Sequence, residues 1–592
     1  MPETTRTFRR IADDHVARSA ALDPMTSTRL GLHPEDDRQP DLSPEGFEAL
    51  ADLARRTLAA LDTAERAVGT AEFGTPHGGA EREGADHEGT HHEGTDHQGT
   101  HHDGAERDCA RLLRERLTAE LAVHEAGDHL RQLRNVNSPL HKVRSIFTMM
   151  PTDTEENWAA VAGRLRNLPG ALDGYRATLA VGIDRGLLCA PRQAHAVIAQ
   201  LAAWTGQDGD GAGWFTGFVA AGPARLRAEL DAAAARATAA VAAFRDWLLA
   251  TYLPAADGTP DAVGRERYLR SARWANGAEV DPAEAYAWAW EEFHRTVAEM
   301  RAEAERVLPG AGVRETMDHL NGHGHAIEGA ENIRAWLQQI TEEAIDALDG
   351  THFDLTGPVR RVETRIAPPG SSGAPYYNGP SLDFSRPGRT YLPTLGRRSF
   401  PTWQLVSTWY HEGVPGHHLQ TARWTACADR LSSYQITLGA VSADKEGWAL
   451  YAERLMDELG FLTDPARRLG YLDKQMLRII RVIVDIGMHL ELAIPADSGF
   501  HPGERWTPEL ATAFMAAHHG SDIPRRSSEI DRYLGWPGQA IGYKLGERAW
   551  LRSREAARRR LGADFDLRAW HTSVLSRGSV GLDDLAVDHV AP

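Results

Sequence analysis

The chain has 592 residues, 42% of them hydrophobic and 25% charged, with a formal net charge of −18. That much apolar sequence buries a large core, while the acidic balance argues against a nucleic-acid or anionic-membrane partner, the short Arg558–Arg560 run reading as a solvated helix face. Three widely spaced cysteines, Cys109, Cys189 and Cys427, suggest neither a disulfide framework nor a cysteine metal site, and no stretch reaches the roughly 20 apolar residues of a bilayer span, so the expectation is a cytoplasmic protein.

Residues 1–72 read as helical, with Pro24, Pro34 and Pro40 breaking the pattern and a second helix starting near Ser43. Composition then changes. From Gly74 to Asp108 the chain passes through Gly84-Ala-Asp-His-Glu, Gly89-Thr-His-His-Glu, Gly94-Thr-Asp-His-Gln and Gly99-Thr-His-His-Asp, a five-residue repeat without an apolar stripe. Such a segment offsets little chain entropy by burial, so residues 74–108 are expected to form a disordered insert within one large catalytic unit spanning the chain. Loose metal binding by its histidines is a second reading.

From Arg111 to about Arg361 the pattern is helical, with alanine-rich runs around Arg225–Leu249 and Pro282–Val307 that favour close helix packing. Valines, tyrosines and prolines between Gly357 and Leu392 predict short strands, among them Val359–Ile366 and Tyr376–Phe384. The fold class expected is mainly α with a small β element near the site.

The most specific chemistry follows in Trp409-Tyr-His-Glu-Gly-Val-Pro-Gly-His-His-Leu-Gln420, an expanded relative of the H-E-x-x-H zinc signature. In that signature two histidines four apart on a helix bind Zn²⁺ and the glutamate takes a proton from water. Here Pro415 occupies the fourth position. On an ideal helix His417 points about 120° away from His411, and His418 is nearly eclipsed but about 10 Å further along the axis. Gly413, Pro415 and Gly416 supply the means for a local bulge that brings His417 round. A plain helix end carrying three histidines is the alternative.

Glu446 is the candidate third ligand, at the start of the helical-looking stretch Glu446–Leu455, with Ser442 and Asp444 as possible N-caps. A glutamate in the first helical turn also suits the helix dipole. Further on, Arg481, Asp485 and His489 recur every fourth residue in an apolar segment. On a helix they form one polar stripe, either a buried network or a site in which Asp485 orients His489, His489 assists an oxyanion and Arg481 holds a substrate carboxylate. Tyr543 lies between glycines in Gly538–Gly546 and is a candidate oxyanion donor, with Arg532 and Gln539 as substrate contacts.

The blocks H-E-G-V-P-G-H-H-L-Q at 411–420, E-G-W-A-L-Y-A-E at 446–453, R-V-I-V-D-I-G-M-H at 481–489 and R-Y-L-G-W-P-G-Q-A-I-G-Y-K-L-G at 532–546 resemble the bacterial domain-of-unknown-function 885 family, with weaker matches at Pro375-Tyr376-Tyr377-Asn378, Arg386-Pro387-Gly388 and a Leu-Gly-Leu-His-Pro-Glu-Asp run near residue 30. Members resemble helical zinc peptidases related to the thimet oligopeptidases and zinc carboxypeptidases. The resemblance implies His411, His417 and Glu446 around Zn²⁺, Glu412 as general base, and an edge strand with Tyr376 and Tyr377 lining a groove for extended peptide. The function expected is therefore a zinc-dependent hydrolase of peptide or related amide bonds, as a carboxypeptidase or dipeptidase, with a non-catalytic metal-binding or metal-buffering protein as the alternative.

Overall fold

The computed structural model describes residues 7–72, 97–368, 373–520 and 523–585, apart from 208, 210 and 212, and is mainly helical as expected. Residues 73–96, which hold most of the glycine-histidine repeat, lie outside the described residues. The expected insert ends earlier than residue 108, because a helix runs from His97 to Glu125 and carries Asp108 and Cys109 into the core. Its pattern turns amphipathic at Asp108-Cys-Ala-Arg-Leu-Leu113. The buried Asp108 carboxylate accepts from Nε and Nη2 of Arg577 at 2.9 and 3.1 Å.

Apolar side chains gather into two main cores. One joins Leu42 to residues 133–256, built on the helices Glu155–Asp184, Pro191–Thr205 and Arg227–Trp247. Their alanine-rich faces, with Ala233, Ala234 and Ala237 buried, let these helices pack closely, as the composition predicts. The second and larger core holds the motif segments and the N-terminal helices. The two halves are tied by backbone acceptors, Asn135 donating to Ser528 O at 3.0 Å and Gln193 to Asp531 O at 2.6 Å.

In the larger half the elements around the candidate site are, in chain order, α1 (Pro282–Val307), β1 (Ala326–Glu328), α2 (Ala330–Leu348), β2 (Val362–Ile366), β3 (Tyr376–Asn378), β4 (Gly388–Leu392), β5 (Ser399–Pro401), α3 (Leu405–Glu412), α4 (His417–Ala426), α5 (Ser442–Glu458), α6 (Pro465–His489), α7 (Ile523–Gly535) and α8 (Gly542–Leu561). The strands are fewer in residues than the sequence predicts: β2 starts three residues later than expected and β3 ends six residues earlier. Strand β4 lies centrally, parallel to β2 and antiparallel to β3, so β3 is an edge. A separate pair joins β1, inside the stretch read as predominantly helical, to β5, just beyond the predicted strand region; three residues are too few to show a two-residue period.

Helix α6 is the axis of this half. From Leu469 to His489 every residue is buried except Lys474 and Arg478, which are half-buried. A helix apolar nearly all round belongs in a core, and α1 packs along it. Helices α5 and α8 meet at Gly447 and Gly546, where a Cβ on Gly447 would lie 2.4 Å from the Gly546 carbonyl carbon and one on Gly546 2.2 Å from Ala443 O. Among the described residues no helix is long and apolar enough to cross a membrane.

Removing one partner of a buried ion pair costs about 3–5 kcal/mol. Asp108→Ala is therefore expected to destabilise the protein by about 3 kcal/mol, read as a lower urea midpoint, whereas an unchanged midpoint would place the 97–108 segment outside the cooperative fold.

Candidate metal centre

The expanded motif folds as two helices, not as one bulged helix. Helix α3 ends at Glu412, four residues turn, and α4 begins at His417. The turn contains a cis Val414-Pro415 bond. Gly416 cannot be replaced by a larger residue without rearrangement, since a Cβ there would sit 2.0 Å from His411 O and 2.4 Å from Tyr410 O. The Gly416 N–H donates to Tyr410 O at 3.0 Å and the His418 N–H to Gly413 O at 3.1 Å. From α5 the Trp448 indole N–H donates to Pro415 O at 2.9 Å and reaches Gly416 O at 3.2 Å. This break does what a bulge was expected to do: it turns His417 toward His411.

The rings of His411 and His417 lie edge to face with centroids 4.7 Å apart. Glu446 Oε2 is 3.5 Å from His411 Nε2 and 3.6 Å from His417 Nε2. All three ligand atoms fall within 4.8 Å of one another. Zinc bonds of about 2.1 Å in a tetrahedron put neighbouring ligand atoms roughly 3.4 Å apart, so two edges of the cluster already have the span of a zinc site. The donor set, two imidazoles and a carboxylate, leaves a fourth position open. His417 Nδ1 is buried without a hydrogen-bond partner.

Helix α5 begins at Ser442, with Val441 as its cap, earlier than expected. Ser442 and Asp444 are thus inside the helix, Asp444 bonding Ser579 Oγ at 2.9 Å, and Glu446 lies in the second turn, where dipole complementarity no longer explains it. Seven residues on, Glu453 returns to the same face. Its Oε1 accepts from His411 Nδ1 at 2.8 Å and its Oε2 from the Ser407 hydroxyl. That bond fixes the His411 tautomer and leaves Nε2 for a metal. Glu453 is legible in the sequence from its seven-residue spacing to Glu446, two turns along one helix face.

Charge in the cluster is arranged to receive a cation. Burial pushes Glu446 toward neutrality, but hydrogen bonds to His411 and His417 outweigh it and hold the carboxyl well below its usual range. Burial likewise opposes a charge on His411, yet bonds to Glu446 and Glu453 raise it to about 9, while burial keeps His417 down at about 4. A cation bound there would take the place of the proton that this arrangement draws in. Glu412 is half-buried beside His411, and among the described residues its carboxylate takes no hydrogen bond. Burial pushes it up to about 7, with His411 opposing and Glu446 adding to the rise.

The adjacent histidine faces elsewhere. His418 Nε2 bonds Val359 O at 2.8 Å, so it carries the proton, and Nδ1 accepts from the Tyr377 hydroxyl at 3.0 Å. Gly388 allows this approach, as a Cβ there would lie 2.4 Å from His418 Nδ1. Tyr377 is thereby committed to holding α4 against the sheet, not free for substrate. Tyr376 stacks on Tyr391 with centroids 4.8 Å apart, on the edge strand.

Tyr543 opens α8, and the Gly447–Gly546 contact sets that helix against α5. Its ring lies 4.5 Å from the Arg481 guanidinium and 5.8 Å from that of Arg532, and burial followed by the Glu446 charge raises its phenol. The stripe on α6 departs from expectation. Arg481 spends its donors on both oxygens of Glu529, at 3.1 and 3.0 Å, and on the Tyr533 hydroxyl at 3.2 Å, so it is already paired. Asp485 does not orient His489: the two are 4.0 Å apart, His489 Nε2 donates to Tyr533 O at 3.0 Å, and Asp485 accepts from Tyr268 and Gly538. None of the contacts described for His489 is with His411, Glu412, His417 or Glu446, and its fully buried ring packs on Tyr268. Arg532 donates to Gln539 Oε1 at 2.7 Å, and Gln539 Nε2 donates to Ser442 Oγ at 3.3 Å.

Residues 24–588 match the family described as bacterial protein of unknown function (DUF885). The chain belongs to this family. No curated protein matches it. Among solved structures it is similar to one described as "the putative lipoprotein from Colwellia psychrerythraea", with 22% identity, a TM-score of 0.77, and 98% of this chain and 97% of that one covered. A second, "a putative lipoprotein of unknown function from Shewanella oneidensis", shares 17% identity at a TM-score of 0.69 over 98% of this chain and 99% of that one. These likenesses establish a shared fold.

His417→Ala is expected to abolish stoichiometric zinc binding and His418→Ala to retain it, measured by metal analysis of the purified proteins; the reverse pattern would overturn the assignment. Loss of a partner behind a ligating histidine typically costs 10–100-fold in affinity, so Glu453→Gln should weaken zinc by about 10–100-fold in a chelator competition, and unchanged affinity would deny Glu453 that role.

Proposed function

We propose that this protein is a zinc-dependent hydrolase of peptide or related amide bonds. The observation that carries this is the meeting of His411 Nε2, His417 and Glu446 within 4.8 Å, beside a half-buried Glu412 that no neighbour hydrogen-bonds. Zinc held there supplies Lewis acidity and makes a water acidic enough to lose its proton near neutral pH.

The chain's own groups supply the remaining chemistry. Glu412 accepts the proton of the attacking water and delivers it to the departing amine, a task suited to a carboxyl raised toward neutral pH. The Tyr543 phenol, kept protonated by burial, donates a hydrogen bond to the carbonyl oxygen as it gains charge. Glu453 holds the His411 ring in register throughout. The outer side of β3 offers extended peptide a backbone to pair with. A storage protein needs no base, and the group His411, His417 and Glu446 stands directly beside one, Glu412.

Incubating the zinc-loaded protein with a mixed peptide library, with mass spectrometry of the products, tests the reading directly. Glu412→Gln is expected to keep full zinc occupancy while turnover falls by at least about a hundredfold. Comparable turnover in the variant would remove the mechanism.

A further inference from the structure

The wall of the site beside Tyr543 is cationic in a protein whose net charge is −18. On α6, buried on every other side from Leu469 onward, the two half-buried positions are Lys474 and Arg478, one turn apart. Solvent therefore reaches the axis of the larger core at two positive charges. Arg478 lies at the metal cluster: its Nη2 is 4.0 Å from Glu453 Oε1, beyond hydrogen-bonding distance, and its charge acts on Glu412. Its Nε is buried and unpartnered. From α7, Arg532 approaches the Tyr543 ring to 5.8 Å, and Tyr543 also senses the Glu446 charge.

The acids nearby are already engaged. Glu529 is taken on both oxygens by Arg481 and also accepts from Tyr533, leaving it 3.7 Å from Arg532 Nη1. Asp473 accepts from His519, Gly520 and Gln404, and Glu453 from His411 and Ser407. Positive charge is left over on Lys474, Arg478 and Arg532. Lys474 Nζ reaches Gln404 Oε1 at 3.5 Å and Arg478 Nη1 donates to Lys474 O at 3.1 Å, whereas Arg532 is tied through Gln539 to Ser442 at the start of the helix that carries Glu446. A guanidinium fixed at one nitrogen, with its side chain still 17% exposed and Glu529 no nearer than 3.7 Å, suits a planar oxyanion.

We propose that this wall binds a carboxylate of the substrate, with Arg532 holding it and Lys474 and Arg478 supplying the field that draws it in. The inference rests on the hydrolase reading and narrows it to peptides that present a carboxylate next to the scissile bond, either the chain's own C-terminus or an acidic side chain.

Binding, not turnover, is the readout. Zinc-loaded Glu412→Gln protein is titrated calorimetrically with three peptides: N-acetyl-Ala-Ala-Phe as the free acid, the same peptide as its amide, and N-acetyl-Ala-Glu-Phe amide. At least a tenfold advantage of the free acid over the neutral amide assigns the wall to a C-terminus, and the same advantage of the glutamyl amide assigns it to a side chain. Either advantage should vanish on adding Arg532→Met and return in part with Arg532→Lys, both checked for unchanged melting temperature. Equal binding of all three peptides, or an advantage that survives Arg532→Met, would overturn this inference alone. Binding of none would sink the peptide-hydrolase reading beneath it.

Discussion

Everything at the centre hangs on the indole of Trp448. Its N–H holds the carbonyls of Pro415 and Gly416, and those carbonyls belong to the four residues that separate two helices. Without that anchor the interruption between His411 and His417 has no fixed direction. With it, the first residue of α4 faces the last turn of α3, and the neighbouring imidazole at 418 is sent to the sheet instead. Because Trp448 sits between Glu446 and Glu453 on α5, one helix supplies the carboxylate that faces both imidazoles, the loop anchor and the partner of His411.

Such a cluster is costly in isolation. An ionised carboxylate or a protonated ring away from water is tolerated when its charge meets an opposite charge or a hydrogen bond, and here Glu453 and Glu446 provide both for His411. Ser407 and His411 satisfy Glu453, and the two rings flank Glu446. Arg481 and Glu529 repeat the pattern a few residues away, which explains why an arginine that the sequence offers as a substrate contact serves the scaffold.

Much of this was legible in the chain itself. Helical periodicity, the alanine-rich runs and the position of the strand region all appear where the composition places them, because they reflect burial patterns repeated over many residues. The grouping of His411, His417 and Glu446 was also readable, since glycine and proline between the histidines announce a departure from one helix. The form of that departure was not: bulge and break use the same residues, and the Trp448 bond that decides between them spans over thirty positions. The same limit explains Asp485 and His489, whose four-residue spacing suggests contact while Tyr268, Tyr533 and Gly538 from other elements claim their hydrogen bonds. Glu529 competes for Arg481 across 48 residues, beyond any local pattern.

The seven-residue interval between Glu446 and Glu453 has a mechanical meaning. Two turns of one rigid rod carry a candidate ligand and the group that steadies another candidate. Rotating α5 about its own axis shifts both carboxylates in the same sense, so the spacing between Glu446 and His411 is buffered against small motions of the helix. Tilting it moves the two unequally and strains the imidazole between them. The tight glycine contact with α8, which leaves no room for a Cβ on either side, suppresses that tilt. The geometry of this cluster is thus governed by how stiffly two helices are clamped at the residue next to Glu446.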